Sequence, residues 1–141
     1  MGEYAIRMQF DIDADEEAVG TALRTEDGVR AWWSKRTDGP ADGKLRVSFP
    51  DRTEPFEFNV RDGADRVEWV TGAYPPWWAG TTIRWDLGPN PDGPGTRLQF
   101  SHGGYEAHNP VIPIVTPAWA QIILRLKAYA ESGRPQPFFD F

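Results

Sequence analysis

The chain has no cysteine in 141 residues. That excludes disulfides, thiolate nucleophiles and cysteine-based metal sites, and it fits a reducing cytosol, so a cytoplasmic location is expected. Histidine is scarce, with only two copies, His102 and His108. They flank a loop with Glu106 as the one nearby carboxylate, a spacing unlike that of a rigid metal site, so no metal and no cofactor are expected. Basic residues are outnumbered, 15 against 21 acidic ones, for a net charge of −6. An acidic surface repels phosphates, and residues 30–36 offer only Arg30, Lys35 and Arg36 around two tryptophans, so nucleic acid is not an expected partner. No apolar run is long enough to span a bilayer, and the N-terminus alternates like a strand without the apolar stretch of a signal peptide. Membrane insertion is not expected either.

Aromatic residues are what the chain has in excess: seven tryptophans, eight phenylalanines and four tyrosines. Their burial energies are large, and the plainest account of them is a tryptophan-rich core with a few rings left to line a pocket. With 40% apolar and 26% charged residues, the composition is that of a globular domain. One domain of this length, residues 1–141, buries roughly two-thirds of its unfolded surface.

The pattern along the chain changes period twice. Tyr4, Ile6, Met8, Phe10 and Ile12 alternate with polar residues, as in a strand with one buried face. Residues 13–17 (DADEE) supply a helix start, and Thr25 caps a second short helix ending at Trp32 and Trp33, with Gly28 weakening it. Alternation returns at Leu45, Val47 and Phe49, at Phe56, Phe58 and Val60, at Val67 and Trp69, at Ile83, Trp85 and Leu87, and at Leu98, Phe100 and His102. Turn formers separate these runs, at residues 38–40, 42–43, 50–51, 62–63 and 89–95, so the expectation is an antiparallel meander. Thr116 and Pro117 then read as a helix start. Trp119, Ile122, Ile123, Leu126 and Tyr129 recur at helical spacing until Gly133 and Pro135 stop the helix, giving Pro117–Ser132. The fold class expected is α+β: a curved antiparallel sheet of six to seven strands wrapped around a long C-terminal helix.

The strings FDIDADEEAV (residues 10–19), EDGVRAWW (26–33), RVEW (66–69), GTTIRW (80–85), TRLQFSH (96–102) and Trp119 followed by LKAY (126–129) sharpen this. In this order they resemble the START-like, helix-grip superfamily (also called SRPBCC), in the branch of activators of the heat-shock protein 90 ATPase. The resemblance runs from about Tyr4 to Gly133. It implies a hydrophobic cavity between the concave face of the sheet and the C-terminal helix, and it implies no catalytic set. The branch's name carries a stress-response setting. A direct chaperone contact is nevertheless not expected, because the extra N-terminal domain of those activators is missing here.

Three functions compete. The first is binding of a small hydrophobic or aromatic molecule by Trp32, Trp33, Trp69, Tyr74, Trp77, Trp78, Trp85, Phe100, His102, Tyr105, Trp119 and Ile123. Within that set, the stiff Tyr74–Trp78 segment reads either as a lid or as a cap on the core, and Tyr105 as a mouth residue. The second is a cyclase or dehydratase using His102 as acid–base, since alternation turns His102 inward with Phe100 and its unperturbed pKa is near neutral. No Ser/His/Asp set or inward pair of acids accompanies it. The third is a co-chaperone-like interaction domain. The apolar terminus, residues 135–141 with three phenylalanines, either folds back on the sheet or meets a second copy in a homodimer.

Overall fold

The computed structural model describes residues 2–141. The first strand, β1 (Tyr4–Ile12), leads into two short helices, α1 (Glu16–Arg24) and α2 (Glu26–Trp32). Each helix starts on a side-chain cap: Asp15 accepts from the Ala18 amide at 2.8 Å, and Thr25 accepts from the Gly28 amide at 3.0 Å. Glycine at position 28 has a packing reason. A Cβ there would sit 2.5 Å from the Ala22 carbonyl oxygen, so the residue lets α2 cross close over α1.

Six strands follow: β2 (Thr37–Ala41), β3 (Lys44–Val47), β4 (Phe56–Asp62), β5 (Arg66–Thr71), β6 (Thr82–Pro89) and β7 (Thr96–Tyr105). All seven form one antiparallel sheet in the order β1-β7-β6-β5-β4-β3-β2. The expected meander is present, closed at one side by the first strand pairing with the last. One strand differs from expectation. Residues 38–40 were expected as a turn, but they lie in β2, an irregular edge strand whose register shifts between Asp38 and Ala41. Gly39 and Pro40 are tolerated because an edge strand needs ladder hydrogen bonds on one side only. The turn itself comes next, at Asp42 and Gly43, both with positive φ (53° and 73°) as a two-residue hairpin demands.

The last helix, α3, runs over Ile112–Ser132 and begins five residues before the expected start. Thr116 does not cap it. Its hydroxyl instead donates back to the Ile112 carbonyl at 2.6 Å. Asn109 organises the entry: its side-chain oxygen accepts from the Val111 amide, and its carbonyl accepts from the Ile112 amide. Pro113 occupies the first turn, where a missing amide is harmless, and Pro117 falls inside the helix. The hydrogen bond that Pro117 forfeits is offset by Ile112 and Val115, which pack against the core. Gly133, with φ 75°, ends the helix as expected. The buried stripe of α3 is Trp119, Ile122, Ile123 and Leu126, and it lies against the inward face of the sheet. This is the helix-grip arrangement.

The terminus folds back, but onto the end of α2 rather than onto the open sheet. Amides of Gln136, Phe138 and Phe139 donate to the carbonyls of Ala31, Trp32 and Trp33, and the Lys35 amide donates to Phe139. These bonds satisfy carbonyls that the end of α2 leaves unpaired. The Phe139 ring rests 4.7 Å from that of Phe49. Among the described residues, no helix is long and apolar enough to cross a membrane.

Candidate functional site

Alternation along β5, β6 and β7 turns Val67, Trp69 and Thr71, then Ile83 and Trp85, then Leu98, Phe100 and His102 toward α3. The end of α2 adds Trp32 and Trp33, and α3 adds Trp119. The five tryptophans at 32, 33, 69, 85 and 119 are at most 1% exposed and touch in a continuous cluster. Trp32, Trp33 and Trp69 stack nearly parallel, with centroids 5.8–6.3 Å apart. Trp85 stands edge-on to Trp69 at 5.1 Å and to Trp32 at 5.6 Å. Phe100 bridges Trp85 and Trp119. The rings placed by sequence along a cavity wall thus pack on one another and occupy the space between sheet and helix.

One end of this cluster is polar. His102 is fully buried. The Trp119 indole, which can only donate, gives its Nε1–H to His102 Nδ1 at 3.0 Å. Nδ1 is therefore the acceptor nitrogen and Nε2 carries the proton, which it donates to the Thr81 hydroxyl at 2.9 Å. The Thr81 hydroxyl donates to the Trp78 carbonyl at 2.6 Å, and Thr71 donates to Thr81 at 3.1 Å. The Tyr105 hydroxyl lies 3.2 Å from Nδ1. Trp78 stands edge-on to the imidazole at 4.7 Å and stacks on Trp119 at 6.1 Å. Burial holds the His102 pKa down to about 3 and pushes the Tyr105 phenol well above its usual value, the latter partly offset by the nearby Trp78 indole. A neutral imidazole with both nitrogens engaged is a structural joint between β7, α3 and the loop before β6. Acid–base chemistry there requires breaking one of its two bonds first.

The remaining sequence-selected residues divide by exposure. Ile123 is fully buried, Trp78 is 3% exposed and Tyr105 1%. Tyr74 is half-buried against Phe56. Trp77 is 38% exposed, packs edge-on to Phe56 at 5.7 Å, and carries the Arg52 guanidinium 5.9 Å from its ring centre. The Tyr74–Trp78 segment is therefore a cap on the core at Trp78 and an exposed rim at Trp77. Sequence reading missed Thr71 and Thr81. Thr71 continues the inward alternation of Val67 and Trp69 and could have been found that way, whereas Thr81 sits in a loop that carries no periodic signal.

The core also contains an imbalance. The indole nitrogens of Trp32 and Trp119 are bonded, to the Ala22 carbonyl and to His102. Those of Trp33, Trp69 and Trp85 are buried without a hydrogen-bond acceptor, while that of Trp78 faces the Tyr105 phenol. Buried polar atoms are nearly always paired, so a group of unmet donors in one cluster calls for a reason. A groove of about 510 Å³ on the outer sheet face, lined by Arg7, Gln9, Arg84, Asp86 and Gln99 among others, differs in kind. Its polar groups answer one another, Asp86 with Arg66 and Arg84, and Gln99 with Gln9. Among the described residues, no three His, Asp or Glu side chains gather as a metal site.

No protein-family model matches the sequence, and no curated protein matches it. Solved structures do. The Aha1 protein of Colwellia psychrerythraea, solved as a dimer, superposes with a TM-score of 0.81 at 25% identity, over 92% of this chain and 98% of that one. This is a START-like, helix-grip chain. The AHSA1-like protein of Aeromonas hydrophila has the same START-like fold, with a TM-score of 0.67 at 19% identity over 92% of this chain and 94% of that one. So does DynU16, from the dynemicin biosynthetic locus, with a TM-score of 0.73 at 20% identity, over 95% of this chain and 49% of that longer chain. The resemblance read from the ordered strings is thus the fold found. A START-like fold hosts many tasks, so the task must be argued from the residues.

Proposed function

We propose that this START-like chain binds a small aromatic molecule at the tryptophan cluster between the sheet and α3. The observation that carries this reading is the set of buried, unpaired indole donors at Trp33, Trp69 and Trp85, whose rings form one contiguous group. A core selected for stability alone gains nothing from unmet donors, each of which costs on the order of 1–3 kcal/mol unless a neighbouring ring face or a guest accepts it. Entry would displace a ring contact, and Trp77, partly exposed beside Trp78, is the ring of this segment that meets solvent. Titration of the intrinsic tryptophan emission with a panel of aromatic and acyl compounds tests the reading. Saturable changes below the millimolar range are expected. A panel with no such response overturns it.

A second reading concerns assembly. The Colwellia relative is a dimer, and α3 of this chain exposes Ile114 (70%) and Leu124 (52%) on its outer side. Exposed apolar side chains of this size favour burial against a second copy.

A further inference from the structure

On the outer face of the sheet, Asp11 and Arg97, Arg66 and Asp86, and Arg46 and Glu57 stand directly opposite each other on adjacent strands and form ion pairs. Arg7 departs from this pattern. Its partner in register is Ser101 on β7, and Ser101 in turn faces Arg84 on β6. Two arginines therefore flank a small hydroxyl in one row across three strands, their Cα atoms about 10 Å apart, or two strand spacings. Among the described residues, neither the Arg7 guanidinium nor the Ser101 hydroxyl has a hydrogen-bond or ion-pair partner. Arg84 faces Glu68 in register, yet its Nε lies 3.7 Å from Asp86, so the guanidinium leans over the outer groove that Asp86 lines. That separation is too long for a hydrogen bond, and Asp86 already holds Arg66 at 2.5 Å, so the donors of Arg84 stay open. The groove of about 510 Å³ has its shape from this row: Ser101 is the low centre, and Arg7 and Arg84 rise on either side. Gln9 and Gln99, bonded to each other at 3.1 Å, close one end.

From this arrangement we propose that the outer groove over β1, β7 and β6 binds the phosphoryl group of a small soluble phosphomonoester, with Arg7 and Arg84 as two forks and Ser101 as a hydroxyl donor between them. A guanidinium holds an oxyanion through two parallel N–H groups. A carboxylate has two oxygens in one plane and is filled by one such fork. A phosphoryl group spreads three oxygens around phosphorus and takes two forks and a hydroxyl together. One exposed ion pair contributes little by itself, so the convergence of three donors is what makes the site. The groove is larger than a phosphate ion and lies in the size range of small-molecule sites, which leaves room for a polar body beside the Gln9 and Gln99 amides. The net charge of −6 opposes anions at long range, but physiological salt screens that field beyond about 8 Å, so a small guest meets the local arginines. A nucleic acid would spread over the acidic remainder and gain no such shelter.

Ribose 5-phosphate, gluconate and ribose, titrated into the full chain and followed by ¹H–¹⁵N spectra, test the proposal. Ribose 5-phosphate is expected to bind with a Kd of about 1 mM or below, at least tenfold more tightly than gluconate, and ribose is expected not to bind. The resonances that move should belong to β1, β7 and β6 around Arg7, Ser101 and Arg84, including the arginine Nε–H groups. Arg7→Gln and Arg84→Gln should each weaken binding at least tenfold with the urea midpoint unchanged. Arg46→Gln removes the same charge from the same face outside the groove, and it should leave binding within twofold of the parent. An equal loss in all three variants overturns the proposal, because the attraction is then diffuse. Gluconate binding as tightly as ribose 5-phosphate overturns the phosphoryl assignment, and no saturable response to ribose 5-phosphate overturns the site. Sedimentation with vesicles containing phosphatidic acid, without binding of ribose 5-phosphate, overturns the soluble guest in favour of a lipid surface.

Discussion

At the residue scale, His102 shows how a polar group in an aromatic core becomes structural. The donor-only Trp119 indole fixes the tautomer, and burial removes the protonated form. With a pKa of about 3 in the folded chain against 6.5 in the unfolded one, the unfolded chain binds the proton first as pH falls. The stability tied to His102 is then complete above about pH 6.5 and is lost progressively between there and pH 3, at roughly 1 kcal/mol per pH unit. Urea midpoints measured at pH 7 and pH 5, above the usual carboxylate range, should fall in the parent and fall much less in His102→Gln. At pH 7, His102→Ala should cost about 3 kcal/mol, because it leaves a hole and orphans the Trp119 donor. Urea unfolding reads the loss, and a cost below about 1 kcal/mol would show that the joint is dispensable. Alternation indicated that His102 faces inward. Its partners were not legible, because Thr81 and Trp119 come from a loop and a helix 21 and 17 residues away in opposite directions.

At the element scale, the short helix α2 depends on its two ends and its crossing point. Gly28 in a helix interior ordinarily invites stabilisation by alanine, by up to about 1 kcal/mol. Here the added Cβ would meet the Ala22 carbonyl oxygen at 2.5 Å, backbone that cannot swing aside. Gly28→Ala is therefore expected to destabilise by about 2 kcal/mol in thermal or urea melts, and a gain in stability would refute the close-crossing account. The other end of α2 is closed by the terminus. Removing residues 135–141 takes away three backbone donors and the Phe139 ring, and an estimated 3 kcal/mol of stability should go with them. Hydrogen exchange should then show faster opening at Ala31, Trp32 and Trp33 than in the far strands. The segment's apolar character indicated that it would be covered, and its destination depended on the unpaired carbonyls at the end of α2. In the same way Thr116 and Pro117 resembled a helix start, but Asn109 and Pro113 provided an earlier one.

At the scale of the whole molecule, the sheet wraps α3 with six of the seven tryptophans inside and Trp77 at the surface. The outer side of α3 carries the two most exposed of the large apolar side chains, Ile114 and Leu124. If this face joins two copies, sedimentation should give a concentration-dependent dimer, and Ile114→Glu together with Leu124→Glu should return it to monomer with the fold intact. A monomer at all concentrations would exclude the pairing. The sequence alone determined the strand periodicity, a helix start within residues 13–17, the cap at Thr25, the inner stripe of α3 and, through the ordered strings, the START-like architecture, because each of these is set by short-range spacing. Tertiary structure decided the rest. Whether seven tryptophans line an opening or fill it depends on how rings from five elements pack against one another. Whether an indole is paired depends on which distant acceptor arrives beside it. Those are properties of packing between segments far apart in the chain, and no local period encodes them.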